Sequence, residues 1–110
     1  MGYGPIQVFT ATMAAASDSC VVSLPKGYTQ IHYVLPSLST NAELALQASY
    51  DGETYKVVRH ASMVAAPTAK VFASSVANSI IPGSEVFPYI KLVASAAPTS
   101  AAIFKFICVY

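Results

Sequence analysis

The side chains suited to acid–base, metal or nucleophilic chemistry are few: Asp18, Glu43, Asp51, Glu53, Glu85, His32, His60, Cys20 and Cys108. Glycoside hydrolysis needs two carboxyl groups facing each other across a sugar. Glu43 and Glu53 flank one expected hairpin and could oppose each other, but Glu53 abuts the turn, where a solvated charge is the ordinary role. A Ser-His-Asp site needs its serine in an elbow or a comparable context, and none of the serines has one. Cys20 can be written as a dyad with His32 or His60, yet the spacing carries no signature. The two histidines stand singly on separate expected strands with no close second ligand, which is not a zinc pattern. Asp51-Gly52-Glu53 lacks the repeated acidic positions of a calcium loop. The expectation is a non-enzymatic protein with no catalytic residue, no metal and no cofactor.

The element that would position most of these groups is ELALQASYDGETYKVVRH, residues 43–60. Leu44, Leu46, Ala48 and Tyr50 alternate with the period of a strand buried on one face. Asp51-Gly52 follows, the dipeptide that readily supplies the positive φ angles of a tight hairpin turn, and a second extended run resumes around Tyr55 and Val57. Asp51 and Gly52 are therefore the turn-critical pair.

Other strands are expected over residues 6–13, 20–24, 28–35, 70–76, 86–94 and 101–110. Residues 14–19 form a connection, since three alanines cannot nucleate a helix in water. Pro25-Lys26-Gly27 is a turn, and residues 77–84 read as a loop turning at Pro82-Gly83. In residues 28–35, Ile31, Tyr33 and Leu35 share one face. Pro88 suggests an edge or a bulge. The last strand, AAIFKFICVY, reads as buried on both sides. About eight short strands and no useful helix indicate an all-β, single-domain antiparallel sandwich, jelly-roll type favoured over immunoglobulin-like. Residues 6–110 make the domain, and residues 1–5 a possible N-terminal arm.

Only 10% of the 110 residues are charged, while 55% are hydrophobic. An average soluble domain has roughly 25% charged residues. Eleven charged side chains cannot cover the roughly 5,800 Å² that a chain of this mass exposes, so Ser, Thr and Ala carry much of the exterior. Such a surface is sticky when free, which points to a subunit of an assembly. The cations are scattered singly from Lys26 to Lys105, giving a net charge of +1 and no basic stripe for nucleic acid. No apolar run reaches the length that crosses a bilayer. The N-terminal segment has no secretory pattern, and Ile6 stands where a myristoylation motif needs Ser or Thr. Cys20 and Cys108 read as small buried hydrophobes; a disulfide between them depends on the fold bringing them together.

Seven tyrosines and no tryptophan supply rings suited to interfaces with one apolar and one wet side. Tyr3, Pro5, Tyr50, Tyr55 and Tyr89 are the candidate interface residues.

The segment Ala48-Ser49-Tyr50-Asp51-Gly52-Glu53-Thr54-Tyr55 resembles a hairpin of tailed-bacteriophage virion β-sandwich proteins, where a strand ends in S-x-D-G and an aromatic follows. Pro88-Tyr89-Ile90-Lys91-Leu92-Val93 and the apolar last strand extend the resemblance over about the second half of the chain. It implies a small capsid decoration (cement) subunit, or a neck or tail component. Such a subunit would be made in the host cytoplasm and kept in the virion, forming a homo-oligomer, trimer favoured, on the major capsid protein or another virion protein. A similar pattern occurs in discoidin-like carbohydrate-binding modules, but there the aromatic is typically Trp and basic loop residues accompany it. Here it is Tyr55, with Ser- and Ala-rich loops, so sugar binding ranks second. A small β-sandwich enzyme using His32 or His60 ranks third.

Overall fold

The computed structural model describes residues 5–59, 71–73, 78–83 and 86–110. Among the described residues there are nine strands: β1 (Ile6–Met13), β2 (Ser19–Ser23), β3 (Gln30–Val34), β4 (Leu44–Ser49), β5 (Lys56–Val57), β6 (Val71–Phe72), β7 (Ile80–Gly83), β8 (Tyr89–Ala94) and β9 (Ala102–Val109). Among the described residues there is no helix, and so none long and apolar enough to cross a membrane. The strands form two antiparallel sheets, one ordered β1-β9-β3-β7 and the other β2-β8-β4-β5 with β6 also on β4. The architecture is all-β and sandwich-like.

Alternation explains why these segments pair as they do. Met13, Ile31, Tyr33, Phe104, Phe106 and Cys108 from one sheet meet Leu46, Ile90 and Leu92 from the other, all essentially sealed from water. Shifting any of these strands by one residue would turn its apolar set outward, so the core dictates register. Tyr33 anchors it, with ring centroids 5.1 Å from Phe72 and 5.9 Å from Phe106. Burial of each such side chain is worth about 1.5–3 kcal/mol. Cys20 and Cys108 are both buried and both free thiols.

Several expectations need correction. The tight Asp51-Gly52 hairpin is instead a six-residue connection between β4 and β5, and only Gly52 has positive φ, +80°. β5 is two residues long because β4's outer edge is shared: β6 pairs with Leu44 and Ala45, β5 with Gln47 and Ala48. The expected loop over residues 77–84 contains β7, whose Pro82 is tolerated because β7 is an edge strand. Pro88 marks neither an edge nor a bulge: it immediately precedes β8, which lies centrally between β2 and β4. β9 is buried on one face only, and Ile103 on the other face is 57% exposed. Of the strand expected over residues 70–76, residues 71–73 are described and only Val71–Phe72 is strand; His60 and the segment that follows it, through residue 70, lie outside the described residues.

Candidate functional site

The connection after β4 is organised by side chains rather than by a backbone turn. Ser49, buried at the end of β4, accepts hydrogen bonds at Oγ from the N–H groups of Asp51 (3.2 Å) and Gly52 (2.9 Å). Its hydroxyl donates to Asp51 Oδ1 at 2.7 Å, and that oxygen also accepts from the N–H groups of Glu53 (2.8 Å) and Thr54 (2.9 Å). Ser and Asp side chains commonly satisfy nearby backbone donors in this way. The Thr54 and Glu53 amides, then the Ser49 hydroxyl, pull the Asp51 carboxyl down to about 2. Gly52 is needed for its φ and for room, since a Cβ there would stand 3.2 Å from Tyr89 Cζ.

Three of the candidate interface tyrosines gather around this loop. Tyr50 is 79% exposed and meets Phe87 edge-on at 5.6 Å. Lys91 Nζ lies 5.6 Å from the centre of the Tyr55 ring, within reach of a cation–π attraction. Burial first, then Tyr89 and the Asp51 charge, raise the Tyr55 phenol above its ordinary pKa. Tyr89 packs its ring under Gly52. Tyr3 lies outside the described residues, and the carbonyl of Pro5 accepts from Tyr110 N–H at 3.0 Å, extending the β1–β9 ladder.

Beneath the loop lies a groove of about 440 Å³. Ala48, Val58, Tyr50 and Phe87 give it apolar walls, and Asp51, Thr54, Lys56 and Arg59 rim it. Phe87 is also a wall of a smaller hollow of about 210 Å³ between the 24–28 turn and Pro88. Phe87 is held from below by Tyr28, whose hydroxyl donates to Phe87 O at 2.6 Å and accepts from Phe87 N–H at 2.7 Å. This two-way clamp joins loops that are 59 residues apart. Neither Tyr28 nor Phe87 stands out in the sequence. The one available signal is that Phe87 precedes a proline, which biases it to an extended conformation able to offer both backbone groups sideways.

The chemistry the site offers is contact chemistry: flat rings, an apolar trough and hydrogen-bond donors at the rim. Glu43 and Glu53 do not face each other. They sit beyond opposite ends of β4, a strand of six residues, which places them roughly 20 Å apart along its axis. His32 is on the outer face of its sheet while Cys20 faces the core, so the sandwich separates them. Burial raises both thiols to about 11, slightly opposed at Cys20 by a hydrogen bond with the Leu92 backbone. Among the described residues no three His, Cys, Asp or Glu side chains cluster as a metal site would require. Comparison of the chain with protein-family models, with curated proteins and with solved structures finds no match.

Proposed function

We propose that this chain is a non-enzymatic virion structural subunit of a tailed phage, a capsid decoration or cement protein that stabilises the head through protein–protein contacts. The observation that carries the reading is the outer face of the β1-β9-β3-β7 sheet. The register sets Ile6 beside Val109, Val8 beside Ile107, and Val34 beside both Lys105 and Ile80. Ile6, Val8, Ile80 and Ile103 are each more than half exposed. Charge is scarce: Lys105 is the single charged residue in the four strands, and His32 the single imidazole. Contiguous exposed apolar patches of several hundred Å² mark interaction sites.

Strand order supports the jelly-roll reading over the immunoglobulin-like one. From β1 to β4 the chain changes sheet at every connection, and it does so again from β6 to β9. An immunoglobulin-like sandwich instead keeps neighbouring strands such as A and B, or F and G, in one sheet. The partner is the major capsid protein or another virion protein, with a neck or tail position as the nearest variant. Neither nucleic acid nor a membrane is a partner, and the protein resides in the virion. Residues 6–110 act as one domain. The copies form a homo-oligomer.

The test is co-sedimentation of the purified chain with expanded heads of the phage that encodes it. Wild type should pellet with the heads and raise their melting temperature. Ile103→Asp, on the exposed face, should fold normally and stay in the supernatant. Wild type left in the supernatant, or the variant pelleting equally well, would refute the reading. One observation favours a second reading as a carbohydrate-binding module: Tyr50 presents an exposed ring beside a rimmed groove. That reading requires oligosaccharides to raise the melting temperature of wild type and not of Tyr50→Ala.

A further inference from the structure

The β1 strand is the end of its sheet. It pairs with β9 along all eight residues and occupies the outermost place in the order β1-β9-β3-β7. Two backbone hydrogen bonds fix which way its backbone groups point. Tyr110 N–H bonds to Pro5 O across the β1–β9 ladder, and on the other side of β9 Thr29 N–H bonds to Val109 O. Hydrogen-bonded and non-hydrogen-bonded pairs alternate along an antiparallel ladder. Gln7, Phe9, Ala11 and Met13 therefore bond to β9, while Ile6, Val8, Thr10 and Thr12 direct their N–H and C=O groups away from it. Among the described residues no backbone hydrogen bond outside the ladders uses those outward groups.

Free edges are normally protected by a lysine, a proline, a bulge or shortness. β1 has none of these: IQVFTATM is long, uncharged and paired in unbroken register. β2, the terminal strand of the facing sheet, is SCVVS and equally uncharged. The opposite edge of the β1 sheet differs, because β7 contains Pro82 and lacks that donor.

We propose that the β1 edge is a self-association surface, on which two copies of this chain pair their β1 strands antiparallel about a two-fold axis. A two-fold contact is isologous and brings the same patch of both copies together. A charge on the strand would repel its own image, so an uncharged edge is the kind that tolerates this symmetry. A three-fold trimer, the symmetry implied by the phage resemblance, would need β1 to meet a different edge, and β7 is a poor acceptor of it. Centred on Phe9, the pairing sets Ile6 opposite Thr12 of the second copy and Val8 opposite Thr10. All four outward residues then bond, giving about eight backbone hydrogen bonds. Phe9, half-buried at the margin of the core, lies opposite its own image on the inner side.

The pairing also changes the scale of the apolar face. Its 25 strand residues cover roughly 400 Å² at the usual strand rise and spacing. Two joined sheets double this to about 800 Å², the area one partner contributes to a standard-size interface. The inference rests on the edge alone and stands whatever the face binds.

Sedimentation equilibrium of the full chain, from micromolar to submillimolar concentration, tests it together with amide hydrogen exchange. A mass of two copies is expected, with the Ile6, Val8, Thr10 and Thr12 amides protected in the dimer. Thr10→Pro removes an outward N–H that the monomer fold does not use, and it should weaken dimerisation at least tenfold while leaving circular dichroism unchanged. Thr10→Lys, which places like charges near each other across the axis, should do the same if the proline variant fails to fold. A wild-type monomer throughout the range, as a strand donated by a different protein would require, would overturn the proposal. So would a mass of three copies, or a dimer that a folded Thr10 variant leaves intact.

Discussion

Gly52 and Gly27 form an internally controlled pair. Both adopt left-handed backbone, φ +80° and +86°. A Cβ at Gly27 would have nothing within 4 Å, whereas at Gly52 it would meet Tyr89 Cζ at 3.2 Å and Cε1 and Cε2 at 3.4 Å. The left-handed conformation costs an L-residue about 1–2 kcal/mol. Restricting the unfolded chain returns about 0.4–1 kcal/mol on replacing Gly by Ala. Gly27→Ala should therefore lose about 1 kcal/mol. Gly52→Ala suffers the same backbone term, and in addition the Tyr89 ring, packed against the loop, must yield by a few tenths of an ångström. Overpacking of that kind costs about 1–3 kcal/mol, so the total is about 2–4 kcal/mol. Gly52→Val, β-branched, should exceed both. Urea denaturation measures each loss, with an unchanged m value confirming that the folded states compare. Near this chain length about 1 kcal/mol shifts the melting temperature by about 4 °C. Equal losses at the two glycines would refute the claim that Tyr89 occupies the space beneath the loop.

Tyr28→Phe deletes both hydrogen bonds to Phe87 and should cost about 2 kcal/mol, since each abandoned backbone group loses its partner; unchanged stability would show that the clamp is dispensable. The Asp51 carboxyl, held at about 2 by the Thr54 and Glu53 amides and the Ser49 hydroxyl, lies below its unfolded value of about 3.9. A depressed carboxylate stabilises above the unfolded value, and that contribution fades as pH falls from about 4 through about 2. The Thr54 and Glu53 amide resonances should therefore titrate near pH 2, and a midpoint near 4 would contradict the network. Cys20 and Cys108, raised by burial to about 11, should resist thiol reagents at pH 8 until the chain is unfolded. Raised pKa values make the thiol contribution complete below about 9, and it is lost as pH climbs toward 11. Rapid labelling of the folded protein at pH 8 would place at least one of them at the surface.

Much of the fold was legible in the alternation of apolar residues. β1 matched its expected range residue for residue, and the inward faces of β3 and β4 followed from Ile31, Tyr33, Leu35 and from Leu44, Leu46, Ala48, whereas Tyr50, expected on that same buried face, lies beyond the end of β4 and is exposed. Alternation fails where burial is unequal on two apolar faces. β9 reads as apolar throughout, yet only its Phe104, Phe106 and Cys108 side meets the other sheet, because among the described residues no strand lies over the opposite side, where Ile103 is exposed. Asp-Gly suggested a tight hairpin, and Ser49 overrode it by offering its hydroxyl to the same backbone donors. Pro82 suggested a turn, but a proline is compatible with an edge strand, and edge position is invisible until the sheet is assembled. Of the candidate site, Tyr50, Tyr55 and Tyr89 could be named from sequence; Tyr28 and Phe87, which hold the groove's wall, could not.

What each short segment can be is written in its own residues: strand period, turn chemistry and scarcity of charge. These are properties of neighbours along the chain, set by local sterics and solvation. Which strand lies last in its sheet, which apolar face is exposed, and which tyrosines meet around one loop emerge only when the sheets assemble. Those depend on pairing between segments far apart in the chain, where many strands share the same local pattern and packing of the whole core selects one arrangement among them.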